Sequence, residues 1–155
     1  MTGDEPHVFI IEARFYEDIA DDLARGAVAA IESVGGTYER AAVPGVFEIP
    51  AAIRFMIKSM ELIGMRRRID AYVALGCVIR GETSHFDIVC GESARGIGEL
   101  ALTYTLALGY GVLTCDDKEQ AHARAAPDGR DKGGEAARAA LHMLGLKRQL
   151  GYFPR

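Results

Sequence analysis

The chain has 155 residues, of which 49% are apolar and 26% are charged, and its formal net charge at pH 7 is −4. This composition is typical of a soluble globular protein and excludes a disordered chain. The acidic balance gives no electrostatic reason to bind nucleic acid or an anionic membrane. No apolar run is long enough to cross a bilayer. We therefore expect one domain over residues 1–155, of which residues 1–6 are disordered.

The N-terminus and the cysteines indicate the compartment. The first six residues, MTGDEP, are acidic and do not resemble a signal peptide. Cys77, Cys90 and Cys115 form no CxxC pair. An odd number of cysteines at apolar positions favours buried thiols over disulfides. A cytoplasmic location is therefore predicted.

Strand patterns alternate with helix patterns along the first half of the chain. A run of apolar β-forming residues predicts a strand at 7–13. Apolar residues at three- and four-residue steps from Ile19 to Val34 predict a helix, which Gly35 and Gly36 end. The next strand is shorter and more polar, which suits a sheet edge. The other elements predicted here are a turn at 14–16, a strand at 38–43, a turn at 44–50, a helix that ends near Gly64 and a solvated basic loop at 65–68.

The second half opens on the most apolar strand of the chain, at 71–79, which is predicted to be buried on both faces. Residues 109–111, Gly-Tyr-Gly, are predicted to break the chain between a helix and the last strand. The elements predicted after 79 are a helix at 83–108, a strand at 112–115, a short helix at 119–125, a loop at 126–134 and a helix at 135–150. Such alternation implies a flavodoxin-like, three-layer α/β/α fold around a four-stranded parallel sheet.

The stretch 71–87 carries the strongest functional pattern. Its strand ends at Arg80 and Gly81, and a helix pattern follows. In open α/β sheets ligands collect at this edge, and a helix N-terminus there attracts anions. A carboxylate, two hydroxyls and an imidazole lie within the next few residues. We predict an active-site edge for a phosphorylated or otherwise anionic small molecule.

Several candidate side chains also have ordinary structural interpretations. His85 is placed to exchange protons near neutral pH, or it caps the helix. Glu48 is a site acid or a first-turn helix acid. Phe15 is a core residue or an exposed ring on which a planar ligand stacks. Arg124 and Lys132 flank a Pro/Gly loop and are either solvated or hold a phosphate together.

Three other motifs carry little weight. The chain contains no GxxxxGK[ST] phosphate loop. Residues 96–101 match GxGxxA, but they lie inside a predicted helix, where small residues favour close packing. Cys115, Asp116, Asp117 and His122 match no strong metal-ligand spacing.

Three segments resemble the 6,7-dimethyl-8-ribityllumazine synthase family: VPGVFEIP at 43–50, LGCVIRGETSHFD at 75–87 and DKGGEAA at 131–137. The likeness extends over nearly the whole chain. It implies that 5-amino-6-(ribitylamino)uracil is condensed with 3,4-dihydroxy-2-butanone 4-phosphate, with loss of phosphate and water, in riboflavin biosynthesis. It also implies a reaction without metal or cofactor.

The resemblance assigns roles to individual residues. Phe15 stacks on the pyrimidine, and His85 moves protons. Lys132 reaches a ring carbonyl, and Tyr110 closes the site from the neighbouring subunit. The residues implied to hold the ribityl chain are Val46, Phe47 and Glu48; those implied to bind the ring edge through their backbone are Cys77, Val78 and Ile79; and those implied to bind the phosphate are Gly81, Glu82, Thr83 and Arg124.

Two positions depart from the family pattern. Tyr16 stands where an asparagine is common, and Asp128 stands where many members have lysine. Because Asp128 lacks the positive charge of lysine, we expect the phosphate to depend more on Arg124, or to bind Arg130. The family implies a homopentamer that sometimes assembles into a hollow shell. We favour the bare pentamer, because residues 127–130 differ from the loop typical of shell-forming members.

Two functions of other classes compete with the enzyme. A non-catalytic protein that binds lumazine or flavin would keep Phe15 and lose His85 or Arg124, but both are present. A flavodoxin-like electron carrier would need a phosphate loop after the first strand. Residues 13–16, Ala-Arg-Phe-Tyr, contain no glycine or run of hydroxyls.

Overall fold

A computed structural model describes residues 5–63 and 68–152. Within these ranges four strands alternate with helices, as the sequence predicts. The strands are β1 (His7–Ala13), β2 (Thr37–Val43), β3 (Ala71–Ile79) and β4 (Leu108–Cys115). The helices are α1 (Glu17–Glu32), α2 (Ile49–Ile63), α3 (His85–Thr103), α4 (Lys118–Ala125) and α5 (Lys132–Gln149), with a 3₁₀ turn at Val46–Glu48 before α2.

All four strands are parallel and lie in the order β2-β1-β3-β4. The two most apolar strands, β1 and β3, therefore occupy the centre. The polar strand β2 lies at one edge, as predicted, and β4 lies at the other. This is the predicted four-stranded parallel α/β fold.

Helices cover both faces of the sheet because successive side chains of a central strand point to opposite sides. Ile10 packs into a core shared with α1, α4 and α5, whereas Ile11 packs into a second core shared with α2 and α3. Both side chains are completely buried. Strand β3 is likewise buried on both faces from Ala71 to Cys77, which confirms the prediction from its composition.

The predicted break at 109–111 is wrong. Helix α3 ends earlier, at Thr103, and the chain turns at Thr105, which has a φ of 56°. Strand β4 then runs without interruption through Tyr110, which pairs with Ala74. A Cβ on Gly109 would lie 1.8 Å from the carbonyl oxygen of Ala136. The glycine therefore permits close approach of α5 to the sheet and does not end an element.

The predicted loop at 126–134 is also too long, because α5 begins at Lys132. The carboxylate of Asp131 accepts a hydrogen bond from the backbone N–H of Gly134 at 3.2 Å and caps the helix. A Cβ on Gly133 would lie 2.0 Å from the carbonyl oxygen of Leu23. Gly133 thus permits the close packing of α5 against α1. A smaller correction concerns Val34, which lies beyond α1 and is exposed.

The described residues include part of the N-terminal segment and all three cysteines. Predictions for residues 1–4 and 64–67 lie outside the described residues. Pro6 is buried, and its carbonyl accepts the N–H of Thr37 at 2.9 Å. Cys77 and Cys115 are buried free thiols, as expected, whereas the free thiol Cys90 is half-buried.

We expect Gly109→Ala to lower the free energy of unfolding by about 1–3 kcal/mol, the usual cost of overpacking. Its new methyl group would meet backbone atoms of α5, which have little freedom to move. Gly145→Ala, in α5, is the control because its Cβ meets nothing within 4 Å; it should be neutral or stabilising by up to about 1 kcal/mol. Urea unfolding, with both variants at the same protomer concentration, measures the two free energies of unfolding. Equal effects would contradict the packing role of Gly109.

Candidate active site

The sheet has a topological switch point where β1 and β3 end. These strands are neighbours, yet α1 follows β1 on one face of the sheet and α3 follows β3 on the other. The chain therefore leaves the two strands in opposite directions, and open α/β sheets bind ligands in the crevice that such a switch creates. We call this region, with the segments that follow β1 and β3, the carboxyl edge.

The 3₁₀ turn packs against the carboxyl edge. Gly76 allows this contact, because a Cβ there would lie 2.7 Å from Cγ2 of Val46 and 3.1 Å from Cβ of Ala13. Val46 is buried, whereas the next two residues, Phe47 and Glu48, are exposed. The turn is thus fixed by one apolar side chain and presents a ring and a carboxylate beside the strand ends.

Two aromatic rings lie exposed at this edge. Phe15, directly after β1, is 72% exposed, and Phe47 is 56% exposed. The ring of Phe15 meets the ring of Tyr16 edge-on, at 5.0 Å between centroids. Of the two predictions for Phe15, the structure favours the exposed ring over the core residue. Such a ring can stack on a planar ligand.

The segment after β3 has the form of an anion-binding turn. Residues 81–84 and His85 are exposed, and His85 is the first residue of α3, a helix of 19 residues. The hydroxyl of Thr83 accepts the backbone N–H of His85 at 3.3 Å. The positive end of the helix dipole therefore points toward this turn.

Arg80 anchors the start of the turn. Its Nε donates to Asp116 at 3.1 Å, its Nη1 lies 3.7 Å from Asp87, and its guanidinium lies 4.4 Å from the ring centroid of Phe86. The sequence pattern around Arg80 predicts no role for this side chain. Its position directly after a buried strand was the only local sign that it lies at the carboxyl edge. Its contact with Asp116 could not be predicted locally, because the two residues are 36 positions apart in the chain.

The remaining predicted site residues meet elsewhere. A cavity of about 280 Å³ lies along β4, between that strand and helices α4 and α5. We call it the β4 cavity. Its lining residues are Tyr110, Gly111, Val112, Leu113, Thr114, Arg124, Lys132, Glu135, Ala136 and Ala139.

The two cationic side chains that line the β4 cavity, Arg124 and Lys132, have different partners. The Nη1 of Arg124 donates to the backbone carbonyl of Gln120 at 3.2 Å, so its contact is with a neutral group. The Nζ of Lys132 lies 2.8 Å from Glu135. Burial raises the pKa of Tyr110, which keeps this phenol neutral at physiological pH.

The sulfur atoms are poor nucleophiles. Burial raises the pKa of Cys77 to about 12 and also raises the pKa of Cys115, which Arg124 partly opposes. Both groups therefore stay protonated near neutral pH, and a thiol is a far weaker nucleophile than a thiolate. At Cys77 the backbone is the available binding group.

The β4 cavity extends along the whole upper part of β4. Tyr110 pairs with Ala74, three residues before Cys77 along β3, and at about 3.3 Å per residue it lies roughly 10 Å below the level of Cys77. Thr114, at the other end of the cavity, pairs with Val78. In one copy of the chain Phe15 and His85 lie at the carboxyl edge, and Tyr110, Arg124 and Lys132 line the β4 cavity.

The two departures from the family pattern lie beside these regions. Tyr16 is half-buried and packs against the core that contains α1, so it supports the wall behind Phe15. Asp128 and Arg130 are exposed in the turn before α5. They are not among the residues that line the β4 cavity.

Within residues 5–63 and 68–152, no group of three or more histidine, cysteine or acidic side chains is arranged to hold a metal ion. In the same ranges, no helix combines the length and the apolar character needed to span a membrane.

Comparison with known proteins gives a consistent result. The sequence profile of the 6,7-dimethyl-8-ribityllumazine synthase family matches residues 5–148. The chain is 51% identical to 6,7-dimethyl-8-ribityllumazine synthase of Agrobacterium fabrum, over 95% of this chain and 98% of that protein. It is 52% identical to 6,7-dimethyl-8-ribityllumazine synthase 1 of Rhizobium meliloti, over 94% of each chain.

Proposed function

Because the chain belongs to the 6,7-dimethyl-8-ribityllumazine synthase family, we propose that the carboxyl edge and the β4 cavity are the two halves of its active site. The enzyme condenses 5-amino-6-(ribitylamino)uracil with 3,4-dihydroxy-2-butanone 4-phosphate in riboflavin biosynthesis, releasing phosphate and water. The observation that carries the site assignment is the gathering of an exposed ring, an anion-binding turn and an imidazole where β1 and β3 end.

The pyrimidine substrate binds at the mouth of the crevice. Phe15 stacks on its planar ring, and the backbone of Cys77, Val78 and Ile79 binds the polar edge of that ring. The exposed side chains of the 3₁₀ turn, Phe47 and Glu48, hold the ribityl chain beside buried Val46. Their exposure supports these roles, because each group is accessible without rearrangement of the core.

The phosphorylated substrate binds at the start of α3. Gly81, Glu82 and Thr83 bind the phosphate through the turn, where the helix dipole favours an anion. Arg124 neutralises the charge of the phosphate as it departs. Because the contact of Arg124 with Gln120 is to a carbonyl, its full positive charge is available for this role.

His85 transfers protons during the condensation. An amine that attacks a carbonyl must lose protons, and the oxygen that leaves as water must gain them. An exposed imidazole beside the phosphate site can accept and donate these protons. Alignment of the two substrates accounts for on the order of 7–11 kcal/mol of barrier lowering, so proton transfer assists the reaction and is not its main source of rate.

We propose that each site is shared between two subunits of a homopentamer. Phe15 and His85 come from one subunit, and Tyr110 and Arg124 come from the next, with Lys132 in the same β4 cavity. The support is that Phe15 and His85 lie at the carboxyl edge, whereas Tyr110, Arg124 and Lys132 line the β4 cavity. Three further points stay predictions. The protein forms a pentamer and not a hollow shell, residues 1–155 form one domain, and the protein is located in the cytoplasm.

We expect His85→Ala to lower kcat by about 10- to 100-fold, at or below the lower end of the range for general acid–base catalysis. His142→Ala removes an exposed histidine of α5 and serves as the control, with an unchanged kcat. Steady-state assays that follow the absorbance of the lumazine product measure both variants. An unchanged kcat in His85→Ala would refute the assigned role.

We expect Arg124→Ala to raise KM for the phosphorylated substrate about 10- to 150-fold, which corresponds to the loss of a charge-assisted contact of roughly 1.5–3 kcal/mol. KM for the pyrimidine should change far less. Arg130→Ala, in the exposed turn before α5, is the comparison and should have a smaller effect. Equal increases in both KM values of Arg124→Ala would count against phosphate binding.

A mixture of two inactive variants tests the shared site. Phe15→Ala and Arg124→Ala subunits, each nearly inactive at substrate concentrations below the wild-type KM, are unfolded and refolded together in equal amounts. With random neighbours in a closed ring, about a quarter of the interfaces regain both wild-type halves. Activity near that fraction is expected. No recovery in rings shown by mass spectrometry to be mixed would place both residues in the site of one subunit.

A further inference from the structure

A buried carboxylate lies three residues before Phe15. Glu12 is only 3% exposed although it belongs to strand β1. Its oxygens accept hydrogen bonds from two arginines: Arg40 of β2 donates through Nε at 2.6 Å and Nη2 at 2.9 Å, and Arg14 donates through Nη1 at 2.8 Å. A buried charge needs such partners, because an unpaired carboxylate away from water is very costly.

Arg14 extends this cluster across the turn that carries Phe15. Its other terminal nitrogen, Nη2, donates to Asp21 in α1, and its backbone N–H donates to the carbonyl of Val43 at 3.3 Å. The hydrogen bond to Asp21 is the main cause that raises the pKa of Arg14. The residue next to Phe15 is therefore tied to β1, β2 and α1 at once.

Phe15 needs such support because burial does little to hold it. With 72% of its surface exposed, the ring is oriented mainly by the backbone that bears it and by its edge contact with Tyr16. An ordered stacking surface binds a planar ligand more tightly than a mobile one, because less conformational entropy is lost on binding.

We propose that Arg14 is a positioning residue for the pyrimidine substrate: its bridge from buried Glu12 to Asp21 holds the turn that presents Phe15. This inference rests on the stacking role proposed for Phe15. Arg14 does not touch the substrate. Its guanidinium is engaged by two carboxylates, so its effect passes through the position of the ring.

Arg40 provides a matched control, because it pairs with the same carboxylate from the opposite side. Arg14→Gln and Arg40→Gln each leave Glu12 with one guanidinium, so both should fold and both should lower the melting temperature. Only Arg14→Gln releases the turn. We expect it to weaken binding of 5-amino-6-(ribitylamino)uracil roughly 2- to 12-fold, the usual cost of ordering one side chain, with Arg40→Gln within twofold of wild type.

Titration calorimetry with 5-amino-6-(ribitylamino)uracil alone measures these dissociation constants. KM for the phosphorylated substrate should be unchanged in both variants. Equal weakening in Arg14→Gln and Arg40→Gln would overturn the proposal, because a purely structural role of the cluster predicts that result.

A double-mutant cycle separates this proposal from the function on which it rests. If Phe15→Ala alone leaves binding unchanged, the stacking role is wrong. If Phe15→Ala weakens binding, adding Arg14→Gln should weaken it no further, because the ring on which Arg14 acts is gone. Additive losses would overturn the positioning role.

A milder variant covers the case in which Arg14→Gln does not fold. Asp21→Asn leaves Glu12 with both arginines and weakens only the outer contact of Arg14. It should weaken pyrimidine binding within the same 2- to 12-fold range. Asp22→Asn, which disrupts the neighbouring surface pair with Arg25, should have no effect. Identical affinities for Asp21→Asn and Asp22→Asn would also overturn the proposal.

Discussion

The constraint on which the rest of the structure depends is that β1 and β3 lie side by side, buried on both faces, while the helices after them pack on opposite faces. A parallel strand needs a crossover to reach its neighbour, so helices must cover both sides of the sheet. Such a switch point is where open α/β sheets bind ligands. The place of the proposed site therefore follows from the topology of the sheet, and the loops determine which side chains line it.

Local patterns were enough to predict the elements but not their glycine contacts. Apolar periodicity located the strands and most helices, because burial of one face requires that spacing. The predictions at Gly109 and Gly133 were wrong, because glycines in such local sequences are typical of turns and loops. Gly109 of β4 instead permits the close approach of Ala136 of α5, and Gly133 of α5 permits its close approach to Leu23 of α1. That demand arises between elements far apart in the chain, and it has no signature in the local sequence.

The same distinction applies to the candidate site. Residues at the ends of β1 and β3 could be predicted, because a strand that ends in a polar turn has a known place in an α/β sheet. The composition of the β4 cavity could not be derived from pattern alone, since it depends on how α4 and α5 pack. The place of Arg124 and Lys132 beside a Pro/Gly loop left open whether they bind a ligand, and the resemblance to the family supplied their roles and that of Tyr110. The role of Arg14 could not be predicted locally, because it depends on the burial of Glu12. That burial requires Arg40, which lies 28 residues from Glu12 in the chain.

The distribution of charge gives a physical reason for the proposed shared site. Around the turn at 81–84, Glu82, Asp87 and Asp116 supply three carboxylates, and the guanidinium of Arg80 contacts the two aspartates. The helix N-terminus must then attract a phosphate in an acidic surrounding. Arg124, whose hydrogen bond is to a backbone carbonyl, lies in the β4 cavity instead. A cation brought by a second copy restores the charge balance, so assembly would complete the phosphate site and the single chain would bind this substrate weakly.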